Sequence, residues 1–447
     1  MSMSALLKPK PYDFVIIGGG IIGLNIATVL KQRVQSASIC IIEKETEVGL
    51  HASGRNSGVL HAGFYYHPDS WKAKLTQEGN QFLTSYCKHH NLPINNCGKL
   101  VVARHESDLT GLQTLFERGK ANNVPIEEIT EAKAKQLEPL VKTYKTALFS
   151  PTTAAADPVK VIQQQYLDAK KLNIDFLFNY NVKQLVPQNR TGIEGKKSII
   201  IYPSSASSAS SSSSASSSTS PSSSVASTGS TPILEAGHVI NCAGVYADVF
   251  AQQLDFAKDI NIAPFKGLYM YCDLPLKRLI YPVPDLNQPF LGVHFTVTFN
   301  NQCKIGPTAI PALWREQYGN LFNSYEPLNT GFNSWEEIYN ISQQHLSLII
   351  HNANLRSLAS QEIKKYIKSF MIQGAAELVE GATYSRFSHF GRAGIRPQFV
   401  SQKTHQLLMD YIIEGDSMST HILNTISPGW TCSRPFAEMV INRYILK

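Results

Sequence analysis

The sequence predicts an α/β fold in which a parallel sheet with a glycine-rich first turn is interleaved with a second region of α+β character that contains an antiparallel sheet. Three observations carry this. The segment Asp13 to Glu43 runs from an apolar strand through a GxGxxG turn and a helical stretch to a second apolar strand ending in an acid. Two further glycine-bearing passages recur far downstream, a strand running into glycine at VINCAG and the opening of the last helix at NTISPGWT. Between them lie runs rich in β-branched and aromatic residues alternating with helical patterns, the signature of a mixed architecture.

The first unit is read element by element. Phe14 to Ile17 is a buried strand. Gly18 permits the tight turn, Gly20 lets backbone approach a pyrophosphate at the helix N-terminus, and Gly23 allows helix and strand to pack closely. Glu43 ends the second strand at the distance from the glycines expected of a carboxylate that accepts ribose hydroxyls. The loop His51 to Tyr66 (HASGRNSGVLHAGFYY) follows. Ser53, Arg55, Asn56 and Ser57 offer donors to phosphates and a ring edge, while Gly54, Gly58 and Gly63 bring backbone close.

Helical patterns cover Asp69 to His90, Leu109 to Ala121, Pro158 to Leu172, Trp335 to His351, Gln361 to Gln373 and Pro435 to Leu446. Strand-like runs cover Lys99 to Ala103, Ile174 to Phe178, Val182 to Val186, Leu268 to Cys272 and Leu291 to Phe299. Ser198 to Tyr202 and Ile233 to Asn241 read as the arms of a hairpin. The Ser-rich tract 204–230 between them has no apolar periodicity and is expected to be a disordered insertion. In VINCAG, Ala243 and Gly244 are expected to abut the cofactor, as is Val182. Ser427, Gly429 and Thr431 at the start of the last helix place N–H groups before a flavin carbonyl. Three passes from distant segments favour FAD over NAD. They also imply a discontinuous Rossmann-type FAD-binding domain, 11–90, 151–260 and 395–447, with a substrate domain formed by 91–150 and 261–394.

Composition narrows the class. The 447 residues are 43% hydrophobic and 17% charged, as in a globular protein. The net charge of +7 comes from scattered basic residues, so a nucleic-acid partner is not expected. No apolar run is long enough to span a bilayer. The seven cysteines are widely separated, lack metal-binding spacing, and read as reduced core thiols. No metal is expected.

The segments HASGRNSGVLHAGFYY, NCAGVYAD, YPVPDLNQPFLGVHFT, KIGPTA, FSHFGRAGIRPQ and the SPG-containing last helix resemble the L-2-hydroxyglutarate dehydrogenase family, within the D-amino acid oxidase-like flavoproteins. The resemblance extends over nearly the whole chain apart from the serine tract. It implies FAD-dependent oxidation of L-2-hydroxyglutarate to 2-oxoglutarate, with hydride passing to flavin N5. It also implies a mitochondrial location, although the short N-terminal stretch resembles no cleavable presequence and leaves the cytoplasm open. The electron acceptor is unassigned, a quinone or an electron-transfer flavoprotein being candidates. An amine or amino acid oxidase of the same fold, or an idle FAD-binding assembly factor, are the alternatives.

The chemistry calls for a base for the hydroxyl proton and cations for the carboxylates. His61 and His294 are the candidate bases, each with a structural role as its alternative, and His61 with flavin attachment as another. Arg396 and Arg392 in GRAGIRPQ are the candidate carboxylate forks, with Lys266 in PFKGLYM as a third cation. Tyr65, Tyr269 and Tyr271 are candidate pocket walls.

Overall fold

The computed structural model describes residues 9–189, 197–204, 233–285, 290–319 and 334–446. Nearly all of the serine tract lies outside them.

Strand β1 (Lys10–Ile17), helix α1 (Ile21–Arg33) and strand β2 (Ile39–Ile42) form the predicted opening unit. β1 and β2 pair in parallel, Phe14 opposite Ile39 through Ile17 opposite Ile42. On its other side β1 pairs in parallel with Leu234–Asn241. That strand is shared. Its first half pairs antiparallel with Lys197–Pro203, and its second half pairs in parallel with Ser419–Leu423. β2 takes Asp175–Leu177 as its outer neighbour. Both faces of this sheet are covered, which is why β2 reads as an unbroken apolar run. Helix α1 buries Leu24, Ile26, Ala27 and Leu30 completely, packed against helices Pro158–Lys171 and Gly429–Val440.

The second large sheet runs in the order Phe387–Phe390, Met270–Cys272, Cys303–Gly306, His294–Val297, Leu279–Pro282, Lys99–Val102, Thr146–Ser150, Glu127–Thr130. It is antiparallel as expected, with one exception. Leu279–Pro282 lies parallel to Lys99–Val102, a pairing between segments too distant for any local signal to announce. A small three-stranded sheet joins the two regions, with Phe265–Gly267 between Ile310–Pro311 and Gly394–Arg396.

Two helices differ from their expected bounds. The stretch expected at 361–373 is divided into Ala353–Lys364 and Lys368–Ala376. Glu362, 3% exposed, accepts the Ala309 N–H at 2.7 Å, which anchors the first helix end to a distant loop. The last helix begins at Gly429, where the SPG passage was expected to open it and ahead of the apolar pattern that starts at Pro435. Pro435 sits inside it and cannot donate to the Thr431 carbonyl. Helix Trp71–His89 crosses there: a Cβ on Gly79 would stand 2.2 Å from the Thr431 oxygen, so only glycine allows the approach. All seven cysteines are free thiols, and among the described residues no helix is long and apolar enough to cross a membrane.

Candidate active site

A cavity of about 900 Å³ runs from the β1–α1 turn to the second sheet. That is the size of pocket a large organic ligand requires.

Its floor at one end is the glycine turn. Gly18 has φ +109°, and a Cβ there would lie 2.5 Å from the Cys242 carbonyl oxygen, so both conformation and space demand glycine. Gly23 would collide with the Gly18 oxygen at 2.2 Å and acts through packing, outside the cavity lining. Gly20 lines the cavity with Ser53 beside it, and the Ser53 Oγ accepts the first-turn N–H of Ile21 at 3.0 Å. Glu43 is nearly buried. Its Oε2 accepts the Gly19 N–H at 2.7 Å and its Oε1 the Glu45 N–H at 3.1 Å. Each oxygen keeps a lone pair for a ribose hydroxyl.

In the following loop Ser53, Arg55, Asn56 and Ser57 all reach the cavity. Asn56 also shapes the turn, donating to Ser53 O at 2.6 Å and accepting Gly58 N–H at 2.8 Å. Gly58 (φ +77°) stays behind the lining, pressed against the Ala156 carbonyl. Arg55 works as a clamp. Its Nε donates to Leu50 O at 2.8 Å and its Nη1 to Ala393 O at 3.2 Å, while its guanidinium lies 4.2 Å from the Tyr318 ring centre. The other passes converge as the spacing suggested: Val182, Ala243, Gly244, Ser427, Gly429 and Thr431 all line the cavity. Thr431 Oγ1 accepts the His61 N–H at 3.2 Å and donates to Val59 O at 3.3 Å, tying the last helix to the loop.

A segment that sequence reading did not single out closes one side. Arg315 forms a two-pronged ion pair with Asp248, at 2.7 and 2.9 Å. Glu316 meets Lys44 at 2.7 Å, and the Tyr318 hydroxyl meets His51 Nδ1 at 2.8 Å. His51 Nε2 in turn lies 2.9 Å from Glu45, whose carboxyl these neighbours hold down at about 2. Side chains from three regions thus interlock beside Glu43.

At the opposite end are the candidate chemical groups. His294 is buried, with Nδ1 2.9 Å from the Gly292 carbonyl. Since a carbonyl only accepts, Nδ1 carries the hydrogen and Nε2 is left as an acceptor. Burial lowers its pKa to about 3. His61 also faces the cavity, and burial, Lys99 and His294 together hold it well below the usual imidazole range. Arg396 lines the cavity with its guanidinium 4.9 Å from the Phe290 ring centre. Its Nε has no hydrogen-bond partner among the described residues. Burial lowers its pKa to about 10, which leaves it a cation at neutrality.

Two expected cations lie elsewhere. Phe265 and Gly267 line the cavity and Lys266 between them does not, because alternate residues of a strand face opposite sides. Lys266 is buried and donates to the Gly319 carbonyl. Arg392 is exposed, beyond the strand that carries Arg396. Of the tyrosines, Tyr269 lines the cavity, Tyr65 stands behind it, and Tyr271 stacks on His389 at the surface side of the sheet. Tyr281, absent from the expected set, lines the cavity and stacks on His294. Its phenol belongs to a strand held between His294–Val297, antiparallel, and Lys99–Val102, parallel.

The family model described as FAD dependent oxidoreductase matches residues 13–443. The chain belongs to this family. Among curated relatives, this oxidoreductase is 31% identical to the mitochondrial L-2-hydroxyglutarate dehydrogenase of Nematostella vectensis, over 98% of this chain and 91% of that one. It is 31% identical to the human mitochondrial enzyme of the same name, over 96% and 88%. It is 32% identical to the L-2-hydroxyglutarate dehydrogenase of Indibacter alkaliphilus, over 94% and 96%. Among solved structures, the L-alpha-glycerophosphate oxidase of Mycoplasma pneumoniae with FAD bound superposes with a TM-score of 0.70 at 20% identity, covering 97% of this chain and 94% of that one. Glycine oxidase from Geobacillus kaustophilus gives 0.64 at 16%, with the same coverage. At those identities the likeness is one of fold.

Proposed function

We propose that this FAD-dependent oxidoreductase oxidises L-2-hydroxyglutarate to 2-oxoglutarate. The observation that carries the reading is Arg396, a largely covered guanidinium on the wall of a cavity shared with two neutral imidazoles, its Nε enclosed and without a hydrogen-bond partner among the described residues. A buried cation of this kind calls for an anion, and a carboxylate matches its fork.

The residues fit FAD: the glycine turn leaves room for a pyrophosphate, and Glu43 retains lone pairs for a ribose. Bound there, the flavin supplies the acceptor for the two electrons of the substrate C–H bond. Arg396 takes a substrate carboxylate and fixes the carbon skeleton against rotation. His294 Nε2, held as an acceptor by the bond from Nδ1 to Gly292, takes the hydroxyl proton. His61 also lines the cavity and, kept neutral by burial and Lys99, brings no cation to the reacting end. Tyr269 and Tyr281 exclude water from the reacting end. The names of the eukaryotic relatives support a mitochondrial location, and a quinone or an electron-transfer flavoprotein is the proposed electron acceptor.

Anaerobic flavin absorbance, titrated separately with L-2-hydroxyglutarate, its D-enantiomer, glycine, sarcosine and D-amino acids, tests the reading. Bleaching by the L-hydroxy acid alone is expected. Bleaching by an amine with none by the hydroxy acid would overturn it.

A further inference from the structure

Lys99 stands one ring behind the cavity wall. Its Nζ is fully buried and makes no hydrogen bond among the described residues. Three aromatic rings enclose it: Tyr281 at 4.1 Å, Tyr65 at 4.9 Å and Phe64 at 5.5 Å from the amine to each ring centre. The Tyr281 ring separates it from His294, which stacks on the opposite side of that phenol.

The groups facing the amine are few. On its own chain segment there is Cys97, whose carbonyl is occupied by Arg278 at 2.6 Å. From the adjoining strand comes Tyr281, from the loop after His61 comes Tyr65, and across the cavity wall are His61 and His294. On its other side the facing strand presents Ser150. None of these is a carboxylate. An amine caged by quadrupoles but denied an anion is poised between its two protonation states, and burial brings its pKa down to about 7.

We propose that Lys99 is a positioning residue for the substrate dianion, acquiring its ammonium charge when the dianion enters on the far side of Tyr281, so that binding is accompanied by proton uptake from solvent. This rests on the dicarboxylate reading of the cavity. A negative charge within roughly 10 Å, at the effective permittivity of a protein interior, shifts such a group upward by about one pH unit or more. The charge then holds the substrate from behind the ring, and in the bound complex both imidazoles enter the reaction unprotonated. A permanently charged group in an empty apolar cage would be costly; an amine that charges only on occupancy avoids that cost.

Calorimetric titration of the FAD-loaded enzyme with glutarate, the dicarboxylate lacking the hydroxyl, tests this when run at about pH 8 in two buffers of different ionisation heat. Wild type is expected to take up about half a proton or more per glutarate bound. Lys99→Met is expected to bind more weakly with uptake near zero, and Lys99→Arg to bind without uptake, its charge being already present. Flavin absorbance and melting temperature report whether each variant is folded. Lys72 and Lys304 are the other buried amines with lowered pKa values, about 7 and about 8, and Lys304 lies 4.4 Å from the Tyr269 ring centre. Lys72→Met and Lys304→Met are therefore expected to retain the uptake. Uptake undiminished in Lys99→Met, or lost in Lys304→Met instead, would overturn the proposal and leave the substrate reading intact. Failure of wild type to bind glutarate at all would overturn both.

Discussion

The imidazole of His294 lies on the phenol ring of Tyr281, centroids 3.8 Å apart and planes 24° from parallel. The contact fixes the ring plane while the Nδ1 bond to Gly292 fixes its rotation, so Nε2 is held with a defined direction and tautomer. In the proposed role of base, an imidazole held so firmly is expected to lose little on reaching the transition state.

Replacing His294 with Asn retains a donor for the Gly292 carbonyl and replaces the basic nitrogen with an amide oxygen that cannot take a proton at neutral pH. The rate of flavin reduction in anaerobic stopped-flow is expected to fall about 10²- to 10⁴-fold, with the oxidised flavin spectrum unchanged. The same substitution at His61 is expected to cost less. The reverse order would assign the base to His61.

Arg396→Lys keeps a charge but loses the fork. KM for L-2-hydroxyglutarate is expected to rise by about one to two orders of magnitude. A KM within about twofold of wild type would move the carboxylate site elsewhere.

Gly18→Ala puts a methyl group 2.5 Å from the Cys242 carbonyl at a φ of +109°. The backbone strain alone is worth about 1–3 kcal/mol. Purified variant is expected to carry little flavin, measured as the ratio of absorbance at the flavin band to that of protein.

Asp248→Asn breaks the two-pronged pair with Arg315, both side chains being mostly buried, 4% and 12% exposed. Glu337 stays 4.0 Å from the Arg315 Nε, so the cost is expected to fall below the about 3–5 kcal/mol of a buried charge left wholly unpaired. The segment carrying Glu316 and Tyr318 is expected to loosen beside Glu43, seen as weaker FAD retention on dialysis and faster amide exchange over 312–319.

Stability should fall on the acid side. His294 has its pKa lowered to about 3, and His345 and His421 to about 4, each chiefly by burial. In the unfolded chain each titrates near about 6.5. Below that pH the unfolded state binds protons that the folded state refuses, so stability is complete above about 6.5 and is lost progressively toward about 4. The loss is about 1.4 kcal/mol per histidine per pH unit. Urea midpoints measured at pH 7 and pH 5.5 check this, and His345→Gln is expected to lessen the difference.

The nucleotide end was legible because its signals are local. Gly18, Gly20 and Glu43 sit within one strand–turn–helix–strand unit, and each has a steric or hydrogen-bonding reason for its identity. The reacting end was legible in part. His61, His294 and Arg396 stand in recognisable segments, but Lys266 was expected to face inward because periodicity gives alternation and not its phase. Arg392, two residues ahead of the strand that orients Arg396, falls on the solvent side. Tyr281 and Lys99 were missed for a different reason. Their meeting depends on a parallel pairing between segments far apart in the chain, which no window of sequence contains. The clamp of Arg315 on Asp248 is of the same kind: charged residues of ordinary appearance become site residues only through tertiary contact.

The strand Leu234–Asn241 lies beside β1 although more than half the chain separates their starts, and helix α1 finds one of its packing partners only in Gly429–Val440. For a chain emerging from the ribosome, this means the first unit made is among the last completed. β1 and α1 keep apolar faces uncovered until Leu234–Asn241 and Gly429–Val440 have been made, so the turn between them acquires its native surroundings only after those distant segments dock.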